Sequence, residues 1–223
     1  MASTDPAIIE VALNGIHTKR RNPHLPTEPA EVTADALRCL DAGASLLHAH
    51  HRMAGMNFDE GVRAPGAAID DYVEAWGPVL EAHPDTLWYP GLLTGPDFEA
   101  LTAKVRLRTA AVDPGSVNLG SPDADGLPHG TVYVNSWEQI RESFAFCARL
   151  GLGPIIAVFE PGYLRAVLSY QRVGRLPAGT LVKLYFGGEC GVFANEPGVS
   201  FGLPPTEKAL NAYLELLEGS GLP

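Results

Sequence analysis

Six times along the chain a short apolar run is followed by an amphipathic stretch, and this alternation narrows the fold more than any other feature. The runs are AIIEVALNG (7–15), SLLHAHHR (45–52), TLWYPGLL (86–93), AVDPGSVNLGS (111–121), GPIIAVFEP (153–161) and TLVKLYFGG (180–188). They are short, aliphatic and closed by glycine or polar turns, which reads as strands. The stretches between them carry helical spacing and caps. Residues 27–43 have Thr27 as N-cap, apolar positions at Val32, Ala36, Leu37 and Leu40, and Gly43 as stop. Residues 67–83 form a second helix, weakened in its middle by Gly77 and Pro78, and 96–108 a third. Ser136 caps a fourth that runs to about Leu150, and 162–173 and about 205–218 complete the set. GTVYVNS (130–136) reads as a short extra strand or a structured loop, and 187–202 as a glycine-rich loop.

Strands alternating with helices make βαβ crossovers and a parallel sheet, whose strands are covered on both faces and so are apolar throughout. The sheet can close as a doubly wound layer or as a (β/α)₈ barrel. No G-x-G-x-x-G and no P-loop pattern is present, so the expected fold is α/β, a TIM barrel. Six units are legible in one domain over 1–223, and an eight-stranded barrel of about 250 residues needs two more. The last two β/α units are therefore expected to be missing from this chain.

Composition enters mainly as exclusion. Of 223 residues 46% are hydrophobic, enough for a sizeable core, and the net charge of −10 argues against nucleic acid or an anionic membrane as partner. Cys39, Cys147 and Cys190 are sparse and unpaired in spacing, which suits reduced thiols in the cytoplasm. The start, MASTDPAIIEV, lacks the pattern of a secretory leader, and no apolar run approaches ~20 residues.

In both α/β architectures ligands bind at the C-terminal ends of the strands. Polar groups collect there: Asn14, His48 to Arg52, Asn118 to Ser121, Glu160, and Gly187 to Glu189. Side chains alternate along a strand, so His48 and His50 share a face and Ala49 takes the other. Two imidazoles so placed either share one metal ion, zinc being well suited and iron or manganese possible, or sit as hydrogen-bonded rim residues. A catalytic zinc takes three protein ligands, so a third must come from elsewhere. His51 faces the helix layer or leaves the strand, and no role falls to it.

Arg52 is placed to clamp a carboxylate or to form a buried salt bridge. Asn14, Thr18 and Lys19 close the first strand and are candidate substrate contacts, with a surface turn as the alternative for Thr18 and Lys19. Asn118, Gly120 and Ser121 offer donors to an anionic oxygen, or simply make a turn. Glu160 and Glu189 are acids near strand ends, available to a metal shell or to solvent.

Several segments resemble one family in order along nearly the whole chain: ALNGIHTKRRNPHLPTEPAEV, AGASLLHAHHR, DPGSVNLGS, VYVNS, GPIIAVFEPGYL and LVKLYFGGECG. The chain is similar to the beta-keto acid cleavage enzymes. The resemblance implies a (β/α)₈ barrel, usually a homotetramer, with one zinc on the H-x-H histidines, here His48 and His50, and a glutamate on the last strand, beyond Pro223. It also implies condensation of a β-keto acid with acetyl-CoA and retro-Claisen cleavage to acetoacetate and a new acyl-CoA. Arg52 and Glu160 are then the catalytic candidates. The chain departs from the family pattern at Ile155 and Ala157, where glutamates are usual, and at Met53, where an aspartate is usual. A metal-dependent hydrolase on the same barrel and a non-catalytic carboxylate-binding barrel are the rival readings.

Overall fold

The computed structural model describes residues 7–15, 19, 22–51, 65–91, 93, 95–190 and 197–222, with 65–67 through their backbone. The chain divides into two compact units, Met1–Ala110 and Ala111–Pro223.

In the first unit, β1 (Glu10–Ala12), β2 (Leu46–Ala49) and β3 (Leu87–Pro90) form a parallel sheet in that order, with α1 (Pro29–Asp41) and α2 (Pro65–Ala82) as crossovers and α3 (Gly95–Thr102) following β3. The register sets His48 beside Ala12 on one neighbour and Tyr89 on the other. Leu46, Leu47 and Ala49 are all buried, as a strand covered on both faces requires. Trp88 stacks on Trp76 of α2, ring centroids 4.3 Å apart, and anchors that helix to the sheet.

The α1 N-cap is Glu28, one residue past the expected Thr27, because Pro29 with its fixed φ and missing N–H takes the first helical position. The Glu31 carboxylate turns back to accept from the backbone N–H groups of Thr27 and Glu28, two donors the helix itself leaves unsatisfied. α2 runs unbroken through Gly77 and Pro78, since Tyr72, Ala75, Trp76 and Val79 are buried and their packing outweighs the hydrogen bond Pro78 cannot make.

β4 (Thr109–Val112) runs into the second unit, where β7 (Gly153–Val158) lies between it and β8 (Leu181–Leu184), parallel to β8 and buried along its whole length. The expected fourth strand is two strands. Pro114 and Gly115 end β4, and β5 (Val117–Pro122) pairs antiparallel with β6 (Pro128–Tyr133), the segment left as strand or loop by the sequence. α4 (Trp137–Leu150) begins as expected, Ser136 capping it in a reciprocal box with Gln139, and ends at Gly151 in the left-handed region, φ 68°. α5 (Pro161–Arg172) and α6 (Glu207–Leu217) follow β7 and β8.

The architecture is mixed α/β. Among the described residues the eight strands form sheets of three, three and two, and no sheet closes on itself into the expected barrel. The remaining adjustments are at element ends: β1, β2 and β3 are shorter than their apolar runs, and α3 stops at Thr102 rather than 108.

Candidate active site

β2 delivers His48 and His50 at its C-terminal end, with ring centroids 4.8 Å apart and planes at 80°. Three contacts set the two rings. The His48 ring stacks on Tyr89, its register partner on β3, at 4.3 Å. Its Nδ1 lies 3.0 Å from the Tyr89 carbonyl oxygen, which can only accept, so Nδ1 carries a proton, and in the neutral ring the lone pair is on Nε2. The His50 ring rests over Gly91, where a β-carbon would come within 2.4 Å of Nε2; only glycine leaves that space.

The backbone of His50 is held separately. Its N–H donates to Asn14 Oδ1 at 2.7 Å, and Asn14 Nδ2 donates to its carbonyl at 3.1 Å and to that of Pro26 at 2.9 Å. Tyr72 of α2 completes the frame: its hydroxyl accepts from His51 N–H at 3.0 Å and lies 2.8 Å from the Gly91 carbonyl. His51 itself is buried on the helix side, edge-on to Tyr72. The imidazole pair thus fits two positions of a metal shell, preorganised by carbonyl, amide and phenol partners. Among the described residues no group of three His, Cys, Asp or Glu is placed to hold an ion.

The second unit has polar groups on its strands and past their ends. Asp113 follows β4 and accepts from the Tyr133 hydroxyl at 2.7 Å. Burial raises its pKa above the usual carboxylate range, an effect the Tyr133 bond and the Lys183 charge only partly offset. Lys183, on β8, lies 3.3 Å from the Tyr185 hydroxyl. Glu160, past the end of β7, accepts from Gly202 N–H at 2.8 Å through Oε1. Burial pushes the Cys147 thiol up to about 12, which makes it a packing residue rather than a nucleophile.

The other candidates fall in varied settings. Lys19 is exposed and ion-paired with Glu31 on α1. Asn118 is exposed, Gly120 buried and Ser121 half-buried, all on β5 of the hairpin. Gly120 opposes Gly130, and a β-carbon on it would meet the His129 carbonyl at 2.1 Å. Glu189 is exposed. Thr18 and Arg52 lie outside the described residues. Tyr72, Tyr89, Gly91, Asp113, Tyr133 and Lys183 escaped the sequence reading. Only Tyr89 carried a signal, as the residue on the face opposite Trp88 in a strand expected beside the histidines.

Parallel strand–helix units with an imidazole pair at a strand end define an α/β protein of the kind that places its chemistry at strand C-termini. The model of the beta-keto acid cleavage enzyme family matches residues 6–219, and the chain belongs to that family. It is 27% identical over 172 residues to a 3-keto-5-aminohexanoate cleavage enzyme of Fusobacterium nucleatum, a match covering 75% of this chain and 58% of that one. A second such enzyme, from Acetoanaerobium sticklandii, is 25% identical over 209 residues, covering 91% and 71%.

Among solved structures, ObcA in binary complex with oxaloacetate superposes with a TM-score of 0.55 at 16% identity, covering 89% of this chain and 48% of that one. ObcA in ternary complex with a C4-CoA adduct and oxalate gives 0.54 at 17%, with the same coverage. At these identities the likeness speaks for the fold, which is TIM-barrel-like in these neighbours. The chain spans 58% of the Fusobacterium enzyme and about half of ObcA.

Proposed function

We propose that this chain carries the metal-holding part of a zinc-dependent beta-keto acid cleavage enzyme, a carbon–carbon bond-cleaving acyltransferase that condenses a β-keto acid with acetyl-CoA. Acetoacetate and a new acyl-CoA are the products. The observation that carries this reading is the oriented imidazole pair, His48 and His50, at the end of β2 in a member of this family. Those two residues would hold the ion, with a third ligand from outside the described residues. Bound there, a zinc ion supplies Lewis acidity that polarises a ketone oxygen and neutralises charge on a carboxylate.

The chain's own groups do the positioning. The Tyr89 carbonyl fixes the His48 tautomer, and Asn14 fixes the backbone from which His50 projects. Arg52 and Glu160 remain the proposed catalytic side chains, the first as a clamp for a substrate carboxylate. Asn14, Thr18, Lys19, Asn118, Gly120 and Ser121 remain proposed substrate contacts. For Asn14 the contact has to be made by an amide already engaged with His50 and Pro26. The same reading carries a homotetramer in the cytoplasm. No helix among the described residues is long and apolar enough to cross a membrane.

The test is elemental analysis of the untagged protein beside its His48→Ala and His50→Ala variants. Each substitution is expected to abolish zinc retention and leave the far-UV circular dichroism unchanged; full zinc in both variants overturns the assignment. A panel of β-keto acids is then assayed with and without acetyl-CoA. Turnover that ignores acetyl-CoA replaces the acyltransferase with a hydrolase.

A further inference from the structure

β1 and β3 flank β2 in the first unit, and one pair of side chains joins them across it: the Tyr89 hydroxyl, on β3, donates to Glu10 Oε1, on β1. Strand alternation puts both residues on the sheet face that carries His48. Tyr89 is the register partner of His48 on one side; on the other the partner is Ala12, two residues past Glu10. The strap therefore crosses β2 beside the imidazole. Its phenol ring is the surface on which the His48 ring stacks, with centroids 4.3 Å apart and planes at 21°.

Two features set this pair apart from core packing. Glu10 is half-buried, and its own register partner, Leu46, is only 2% exposed. Drawing a carboxylate towards such neighbours costs desolvation, and an apolar side chain would serve the sheet better. Tyr89 also supplies two separate contacts to His48: its carbonyl meets Nδ1 at one edge of the imidazole, and its ring supports the face. The carbonyl belongs to the backbone, whereas the plane of the phenol is set at its far end by Glu10.

We propose, on the metal reading of the histidine pair, that Glu10 is a positioning residue for His48, acting through Tyr89. The carboxylate holds the phenol by its hydroxyl, the phenol holds the imidazole by its face, and Nε2 of His48 is aimed as a result. A metal-bound imidazole gives up electron density and becomes partly positive, and the face of an electron-rich ring stabilises such a neighbour. Donation to an anionic acceptor is a strong hydrogen bond and enriches the phenol ring. The bond that orients His48 thus also favours its liganded state.

The test uses the full chain and three substitutions. Tyr89→Phe removes only the hydroxyl, Glu10→Ala removes the acceptor, and Glu10→Gln restores a neutral one. The Tyr89 carbonyl remains for His48 Nδ1 in all three. Far-UV circular dichroism and thermal melts check that each variant is folded. Zinc affinity, measured by competition with a chromogenic chelator, is expected to fall roughly tenfold in Tyr89→Phe and Glu10→Ala, the usual effect of losing a partner behind a ligand. Glu10→Gln should recover part of that loss. Zinc should also perturb a tyrosine absorption band in the wild type, a signal missing from Tyr89→Phe and from His48→Ala.

The strap is read without metal as well. In zinc-free protein the His48 ring resonances, identified by their absence from His48→Ala, lie under the ring current of Tyr89. They are expected to move in Tyr89→Phe and Glu10→Ala and to return towards their original positions in Glu10→Gln. Unmoved resonances overturn the proposal, and so does wild-type zinc affinity in both Tyr89→Phe and Glu10→Ala. Wild-type protein that takes up no zinc overturns the metal reading instead, and the resonances then decide whether Glu10 positions His48.

Discussion

Single side chains do two kinds of work in the first unit, and Gly91 shows the functional kind. Its missing β-carbon is the space the His50 ring occupies. Gly91→Ala is expected to turn that ring while the fold survives, since the obstructed group is a side chain with room to rotate. Displaced ligand orientation typically lowers metal affinity roughly ten- to a hundredfold. Zinc titration of the variant measures this, and an affinity equal to the wild type would show that His50 needs no such seat.

Glu31 shows the structural kind. The Lys19 ammonium beside it, with the N–H groups of Thr27 and Glu28, lowers its pKa from 4.5 to about 2. Because the folded value is depressed, its stabilising contribution is complete above pH 4.5 and is lost as pH falls towards 2. Glu31→Gln should therefore flatten the fall in melting temperature between those limits. The group is largely solvated, so the effect is modest. Thermal melts across that range decide it, and parallel profiles for the two proteins would remove Glu31 from the acid response.

Among the elements, the β5–β6 hairpin is the clearest departure from a simple strand–helix repeat. Asp123 closes its turn by accepting from the N–H groups of Asp125 and Leu127 with Oδ1, and Gly126 takes the left-handed conformation at φ 79°. Gly120 and Gly130 face each other across the ladder so closely that a side chain on either would strike the opposing backbone. Gly120→Ala should cost about 1–3 kcal/mol through overpacking. In a chain this long each kcal/mol lowers Tm by about 2–4 °C. Calorimetry reads the shift. A normal Tm combined with lost substrate binding would instead favour the substrate contact proposed for this residue.

Across the molecule, the alternation of short apolar runs with amphipathic stretches foretold the order of helices and of the parallel strands, because burial on both faces leaves a mark in composition that needs no knowledge of the partner. It also pointed to His48 and His50, since period-two alternation settles which side chains share a face. Local chemistry was legible where it is self-contained, as in the Ser136–Gln139 box. The hairpin was not, because Val117 to Pro122 and Pro128 to Tyr133 are ordinary β-formers whose pairing direction depends on the chain between them.

Nor were the partners of the site. Tyr89, Gly91 and Asn14 reach the histidines from other strand ends, across separations of as many as 41 residues, and a linear pattern carries no record of such contacts. The same limit applies to a groove between α4 and α5. Arg141 on α4, Arg165 on α5 and Arg175 just past it look like ordinary surface charges until packing brings them into one lining with Trp137. Periodicity, propensity and capping act over a few residues and can be read directly from their order. Which side chains converge on a site depends on how distant elements pack, and that is an outcome of burying the whole core at once.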